Sequence, residues 1–391
     1  NGTTALILSY MSFAIGYIAG PFGAIFFGHI GDRKGRKVTM YASLLMMGIS
    51  TSIIGILPPA ASAGVGVVIV LQLMRLAQCF GRGGTWGGGI LMAYENVPEN
   101  KRSFYAAIPQ IGLPIGFGLS SILIAVPTLL LPEDIFFTWG WRIPFLAAII
   151  LTLIVIRQKG EMMETEDYKK AQAKLEAEEA EGKKHKVGFI PMVKGYWKTL
   201  LLGCGTRWVD GTFYNIFIVW ILSYCINWLG MPLIQTYIIT IIACIFKIPF
   251  TLFGGWCAQK LGNTRTFVIG ALASAVLSIP TLKVIELSKG NLAITIIGIV
   301  LGWSIAYNLI WAVISSLWSS YFETEVRYSG ISFVYHVPSF LVAGMVPTIC
   351  TLLINYGKGD TIYVGIYSTV VALISAACAL ALKARHDRGE K

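Results

Sequence analysis

Gly28-His29-Ile30-Gly31-Asp32-Arg33-Lys34-Gly35-Arg36-Lys37 is the only dense run of positive charge in the first 90 residues, and apolar segments of about 20 residues flank it on both sides. A helix of about 20 apolar residues crosses a hydrocarbon layer of about 30 Å. A short Lys/Arg-rich loop between two such helices marks the cytoplasmic side. The stretch therefore sets the class of the chain, a polytopic membrane protein, and the way it faces.

Composition agrees. The 391 residues are 55% hydrophobic and only 13% charged, with a mean hydropathy of +0.68, whereas soluble domains carry about 25% charged residues. The formal charge of +11 sits mostly in short loops and one charged segment, so positive-inside placement explains it without nucleic acid. Seven cysteines, Cys79, Cys204, Cys225, Cys244, Cys257, Cys350 and Cys378, lie scattered in apolar runs without CxxC spacing. With only four histidines beside them, no metal site is expected.

The apolar runs predict eleven spans, at 3–28, 39–57, 64–94, 103–131, 140–157, 198–224, 233–255, 265–284, 291–318, 328–354 and 361–382. On the side of the opening stretch the connections and the C-terminal tail hold 23 basic residues. The opposite side holds Arg142, Lys283, Lys289 and Lys358. This asymmetry places the C-terminus and the charged segment in the cytoplasm and Asn1 outside. An odd span count with Asn1 outside leads to the expectation that one helix precedes Asn1.

The organisation is twofold: a helical bundle over 1–157, a charged cytoplasmic linker over 158–197 with mixed signs at helical spacing, and a second bundle over 198–391. The halves repeat. Gly28, Asp32, Arg33 and Gly35 are answered by Gly255, Gln259, Lys260 and Gly262 at a constant offset of 227. Lys101-Arg102-Ser103-Phe104-Tyr105 is likewise echoed by Val326-Arg327-Tyr328-Ser329-Gly330. Two related bundles about a linker are the architecture of a secondary transporter.

Charged groups inside spans are expensive and mark function. Measured at about 1.5 Å per residue from the outer end near Gly64, Arg75 lies close to mid-membrane and Arg82 two turns deeper. Arg207, Asp210 and Lys247 reach comparable depths in the sixth and seventh spans. Four cations against one carboxylate leave a surplus that an anionic substrate balances. Arg75, with Arg207 or Lys247, is expected to bind carboxylate groups, since Arg suits bidentate recognition. Arg207 and Asp210, three residues apart, are also placed to pair with each other. Asp210 is the proton-carrier candidate, followed by His336. Gly81–Gly89 lacks GxxxxGK[ST] and reads as a helix-packing surface. Trp303, Tyr307, Trp311 and Tyr335 line a pocket or pack in the core.

The stretch from Gly28 to Lys37 resembles the signature G-x-x-x-D-R-x-G-R-[RK] of the major facilitator superfamily at every fixed position. Within it the chain is similar to the metabolite:proton symporters. The residues that carry this are Phe27–Arg33; Arg75-Leu-Ala-Gln78 with Gly83-Gly84-Thr-Trp-Gly87-Gly88; Pro109-Gln110-Ile-Gly-Leu-Pro-Ile-Gly116; and Trp139–Phe145. Thr85, Cys79 and Gly20 depart from it, standing where Glu, Gly and Arg are usual. The resemblance implies an all-α fold of two six-helix bundles whose first helix would precede this chain. It also implies a latch in which Gly28, Asp32, Arg33, Gly35 and Arg36, joined by Glu95 and Arg102, bridge the bundles on the cytoplasmic side. Gln259 and Lys260 would form a weaker counterpart. Gln78, Gln110 and Tyr307 complete the expected substrate site.

The expected function is proton-coupled symport of a small organic anion, a mono- or dicarboxylate, by alternating access. It needs no covalent chemistry, no enzyme activity and no cofactor beyond the proton gradient. The expected setting is a monomer in a bacterial inner membrane. The alternatives are a proline/betaine-type osmolyte symporter, an uncoupled facilitator and a transport-dead nutrient receptor.

Overall fold

The computed structural model describes residues 2–158, 169–170, 172–173 and 189–390. Among these are eleven helices long and apolar enough to cross a membrane: α1 Ser9–Asp32, α2 Arg36–Ile56, α3 Val65–Glu95, α4 Glu99–Leu130, α5 Gly140–Gln158, α6 Met192–Asn227, α7 Leu233–Leu261, α8 Asn263–Leu287, α9 Leu292–Ser319, α10 Arg327–Tyr356 and α11 Ile362–Asp387. A helix satisfies its backbone groups internally, which hydrocarbon demands. The outward faces stay apolar, with Phe22, Leu129, Ile150, Leu201, Val276 and Leu341 exposed.

The opening stretch is not the loop the sequence suggested. A helix runs from Ala19 to Lys34 and stops only at Gly35, whose φ of 102° is open to glycine and disfavoured for residues with a Cβ; the next helix begins at Arg36. Gly262, 227 residues later, has φ 89° and separates α7 from α8 in the same way. The sixth span also starts earlier than expected. Its helix covers Phe189–Asn215 with a kink at Tyr196, because Phe189-Ile190-Pro191-Met192-Val193 is itself apolar and extends the helix into the segment assigned to the linker. The rest of that linker, residues 159–168, 171 and 174–188, lies outside the described residues.

α1 and α2 pack on α3 and α5 packs on α2, while α8 packs on α7, α9 and α11 and α11 packs on α6. The two groups meet along two seams, α1 against α10 and α4 against α7. Glycines set the closest approach. A Cβ on Gly23 would lie 2.0 Å from the Phe80 carbonyl oxygen, and one on Gly83 2.4 Å from the Ala24 nitrogen. The glycine-rich stretch of α3 is thus a packing surface, as expected. Three π-helical turns interrupt the second group, at Ile216–Trp220, Val300–Ala306 and Phe340–Gly344. Such turns recur at functional sites.

Candidate functional site

At the end of the molecule where α1 turns into α2, charge ties the two helix groups together. Asp32 Oδ2 accepts the backbone N–H of Ser329 at 3.1 Å and the Ser329 hydroxyl, while Arg36 Nη1 donates to Asp32 Oδ1 at 3.1 Å. Ser329 lies in the first turn of α10, where backbone donors have no partner within the helix and the dipole favours an anion. Arg36 Nη2 also donates to the Thr324 carbonyl at 3.1 Å. Glu95 holds Arg327 at 3.0 Å and Arg36 at 3.6 Å. Close contact assists: a Cβ on Gly28 would meet Ser329, and one on Gly31 would meet Tyr328 at 2.8 Å. The Arg33 side chain lies outside the described part. Arg102, expected in this network, sits over the Tyr94 ring at 5.2 Å with Glu99 at 3.5 Å.

The repeat reproduces this arrangement without its charge. Gln259 Oε1 accepts from the Phe104 N–H at 3.4 Å, and its amide donates to the Asn100 carbonyl, at the start of α4. Gly255 packs on Ala107 as Gly28 packs on Ser329. Lys260 is exposed.

Between the two groups lies a cavity of about 440 Å³, lined from α1 by Tyr17, from α3 by Arg82 and Trp86, from α4 by Gln110 and Phe117, from α6 by Arg207, Asp210, Tyr214 and Asn215, and from α9 and α10 by Trp311 and Tyr335. This volume suits a small metabolite. Its charged lining is Arg82, Arg207 and Asp210, a net charge of +1. Arg207 Nη1 donates to Asp210 Oδ2 and Nε to the Tyr335 carbonyl at 3.4 Å. Tyr307 O–H donates to Asp210 Oδ1. Both oxygens of Asp210 are therefore hydrogen-bonded. Arg82 stands with its guanidinium 4.6 Å over the Tyr17 ring, without an ion pair among the described residues, and its Nε has no acceptor. Trp86 Nε1, a donor, and Asn215 Oδ1, an acceptor, are likewise unfilled. Trp86 stacks on Tyr335 at 4.1 Å, and the Arg207 guanidinium lies 4.2 Å from the centre of the Tyr335 ring.

The structure brings together Arg82, Arg207, Asp210, Gln110 and Tyr335 and leaves Arg75 and Gln78 away from the cavity. Arg75 is half-buried two turns from Arg82 on the same face of α3. α3 has 31 residues, longer than the layer is thick, so its centre falls near Phe80, and depth counted from Gly64 placed the site two turns too high. Gln78 donates to Thr51 Oγ1 at 2.7 Å. Gln110 exchanges two hydrogen bonds of 3.1 Å with Trp311 across the α4–α9 contact. Tyr307 is buried behind Asp210. Lys247 is fully buried too; it donates to Asn308 Oδ1 at 2.9 Å, and its Nζ lies 4.5 and 4.4 Å from the Trp303 and Tyr307 rings. His336 is completely buried beside Gly20 and the backbone of Arg82, off the cavity.

Tyr17, Trp86, Phe117, Tyr214 and Asn215 were not anticipated. Only Asn215 carried a usable signal, a polar residue two turns beyond Arg207 on the same helix.

The chain and its fold match known proteins. The model of the Major Facilitator Superfamily matches residues 2–347. The chain is 33% identical over 392 aligned residues to the inner membrane metabolite transport protein YhjE of Escherichia coli, covering 98% of this chain and 86% of that one. It is 30% identical to the E. coli shikimate transporter, over 96% of this chain and 84% of that one. It is 27% identical to the proline/betaine transporter of Salmonella typhimurium, over 98% and 76%. In three dimensions it is similar to the proton:xylose symporter XylE bound to 6-bromo-6-deoxy-D-glucose, with a TM-score of 0.75 at 16% identity over 97% of this chain and 86% of that one. The chain is a multi-pass membrane transporter and belongs to the Major Facilitator Superfamily.

Proposed function

We propose that the chain is a proton-coupled symporter that imports a small organic anion, a mono- or dicarboxylate, by rocking its two helix groups about the central cavity. The observation that carries this reading is Arg82: a guanidinium on the cavity wall with no ion pair among the described residues. A buried cation of this kind is stabilised by a carboxylate that arrives with the substrate. Arg207 supplies a second contact once the substrate competes with Asp210 for it. Relatives named for shikimate and for other metabolites, and a fold neighbour named as a proton symporter, support this reading.

The motif end, rich in basic residues, faces the cytoplasm in this reading, so the Asp32 latch closes the inner side and the C-terminus lies inside. A bacterial inner membrane and a monomeric working unit fit a relative named as an inner membrane protein and a cavity enclosed within one chain.

One observation favours a second substrate class. Tyr17, Trp86, Phe117, Tyr214, Trp311 and Tyr335 surround the cavity, and such rings also hold quaternary ammonium groups, so a betaine could place its carboxylate on Arg82 and its cation among them.

Radiolabelled uptake into proteoliposomes tests both. The panel is succinate, shikimate, a short monocarboxylate, proline and glycine betaine, each with and without an inward proton gradient. Gradient-driven accumulation of an acid is expected. Accumulation of betaine alone would select the second class, and equilibration without accumulation would remove proton coupling.

A further inference from the structure

Lys247 is a fully buried lysine with no carboxylate at ion-pair distance among the described residues. Its surroundings are built for it. Asn308 turns its Oδ1 to Lys247 Nζ and uses its Nδ2 on the Lys247 carbonyl at 2.8 Å and on Thr251 Oγ1 at 3.0 Å. This fixes the orientation of the amide, so Asn308 presents an acceptor to either an amine or an ammonium. The Trp303 and Tyr307 rings cover Nζ, and ring faces stabilise a cation when one forms. The π-turn Val300–Ala306 contains Trp303 and runs directly into Tyr307.

Tyr307 is the partition between this site and the cavity: its ring faces Lys247 and its hydroxyl donates to Asp210. The ionisable groups facing Lys247 are Asp210 of α6 beyond that partition, Tyr307 of α9 and Cys244 on its own helix. Arg207 and Tyr214 of α6 lie beyond Asp210. α4 has no ionisable side chain from Pro109 to Leu130, and α8 carries Arg265, Lys283 and Glu286 only near its ends.

We propose that Lys247 is the proton-binding group of the transport cycle, charged when substrate occupies the cavity and neutral when the cavity is empty. The inference rests on the symport reading above. In the empty site Asp210 is balanced by Arg207, and a second buried cation without a partner is costly. The empty cavity carries a net charge of +1 from Arg82, Arg207 and Asp210, which opposes an ammonium across the Tyr307 ring, and a bound monoanion cancels that charge and removes the opposition. The step is a proton transfer from cavity hydronium to the Nζ lone pair: an N–H bond forms, an O–H bond breaks and water is left, with the reverse on the inner side. One monoanion and one proton then move together without net charge. By linkage, proton and anion raise each other's affinity by the same factor.

The test uses the full chain in proteoliposomes with radiolabelled shikimate or succinate, whichever the panel selects, comparing wild type with K247M, K247R and N308D. A gradient of one pH unit supports about tenfold accumulation of a monoanion carried with one proton. Arginine keeps its proton, methionine never holds one, and an aspartate at 308 pairs Lys247 permanently. All three are expected to exchange substrate across the membrane while their gradient-driven accumulation falls to unity. Wild-type accumulation by K247M would overturn the proposal. If K247M fails to fold, full accumulation by K247R or N308D does so instead. Accumulation lost in D210N but kept in K247M would put the proton on Asp210. No accumulation by wild type itself would remove the symport reading together with this one.

Discussion

At the residue scale, function comes down to which buried charges are compensated. Arg207 has Asp210, whereas Arg82 has the Tyr17 side chain, an unfilled Nε and no carboxylate among the described residues. Hydrogen bonds to charged groups contribute about 1.5–3 kcal/mol, so R82A is expected to raise the KM for an acidic substrate about 10- to 150-fold, with R82K recovering part of the loss. Concentration-dependent uptake measures this, and an unchanged KM would remove Arg82 from the site. A second charge, Asp360, stands where α10 connects to α11. Lys283 holds it at 2.6 Å and the Ile362 N–H donates to the same oxygen at 2.7 Å, which keeps this exposed carboxyl below its usual range. A carboxylate depressed in the fold stabilises it above the unfolded value of about 3.9 and loses that contribution as pH falls through the lower folded value. D360N is therefore expected to lower the melting temperature at pH 7 and to match wild type at strongly acid pH. An equal deficit at both would point to a cause other than charge. Sequence showed the kinds of residue that matter but not which pair. Arg75 and Arg82 share a face of α3 and differ by two turns, a distinction that depends on where a helix longer than the membrane sits in it.

At the element scale, the repeat was legible because it is written in glycines and helix ends. The offset of 227 joins Gly35 to Gly262, and both adopt positive φ between consecutive helices. Replacing Gly35 by Ala forces a Cβ into that conformation at about 1–3 kcal/mol, so a lower melting temperature with substrate affinity preserved is expected. A parallel loss of affinity would mean that the turn shapes the cavity as well. What sequence did not show is that the charged stretch is helical through Lys34. Basic residues suggested a loop, but the helix continues because the Gly28–Gly31 face is buried against α10. The π-turns of α6, α9 and α10 also left no sign in the apolar pattern, since one added residue per turn does not change hydropathy.

At the scale of the whole molecule, the two seams differ in charge. Along α1–α10 the ion pairs of Asp32, Arg36, Glu95 and Arg327 tie the two groups. Along α4–α7 neutral Gln259 occupies the equivalent place. D32N is expected to raise the reactivity of a cysteine introduced at the buried Ser332 toward a water-soluble maleimide several-fold in a background without native cysteines, while Q259A changes it less. Equal effects would mean that charge does not distinguish the seams.

The reciprocal bonds between Gln110 and Trp311 join the two groups at the wall of the cavity. As the groups separate, the Trp311 indole exchanges a buried amide carbonyl for water. In a variant keeping Trp311 as its sole tryptophan, the emission maximum would move to longer wavelength on opening and back on closure, giving the transporter an internal optical readout of its own cycle.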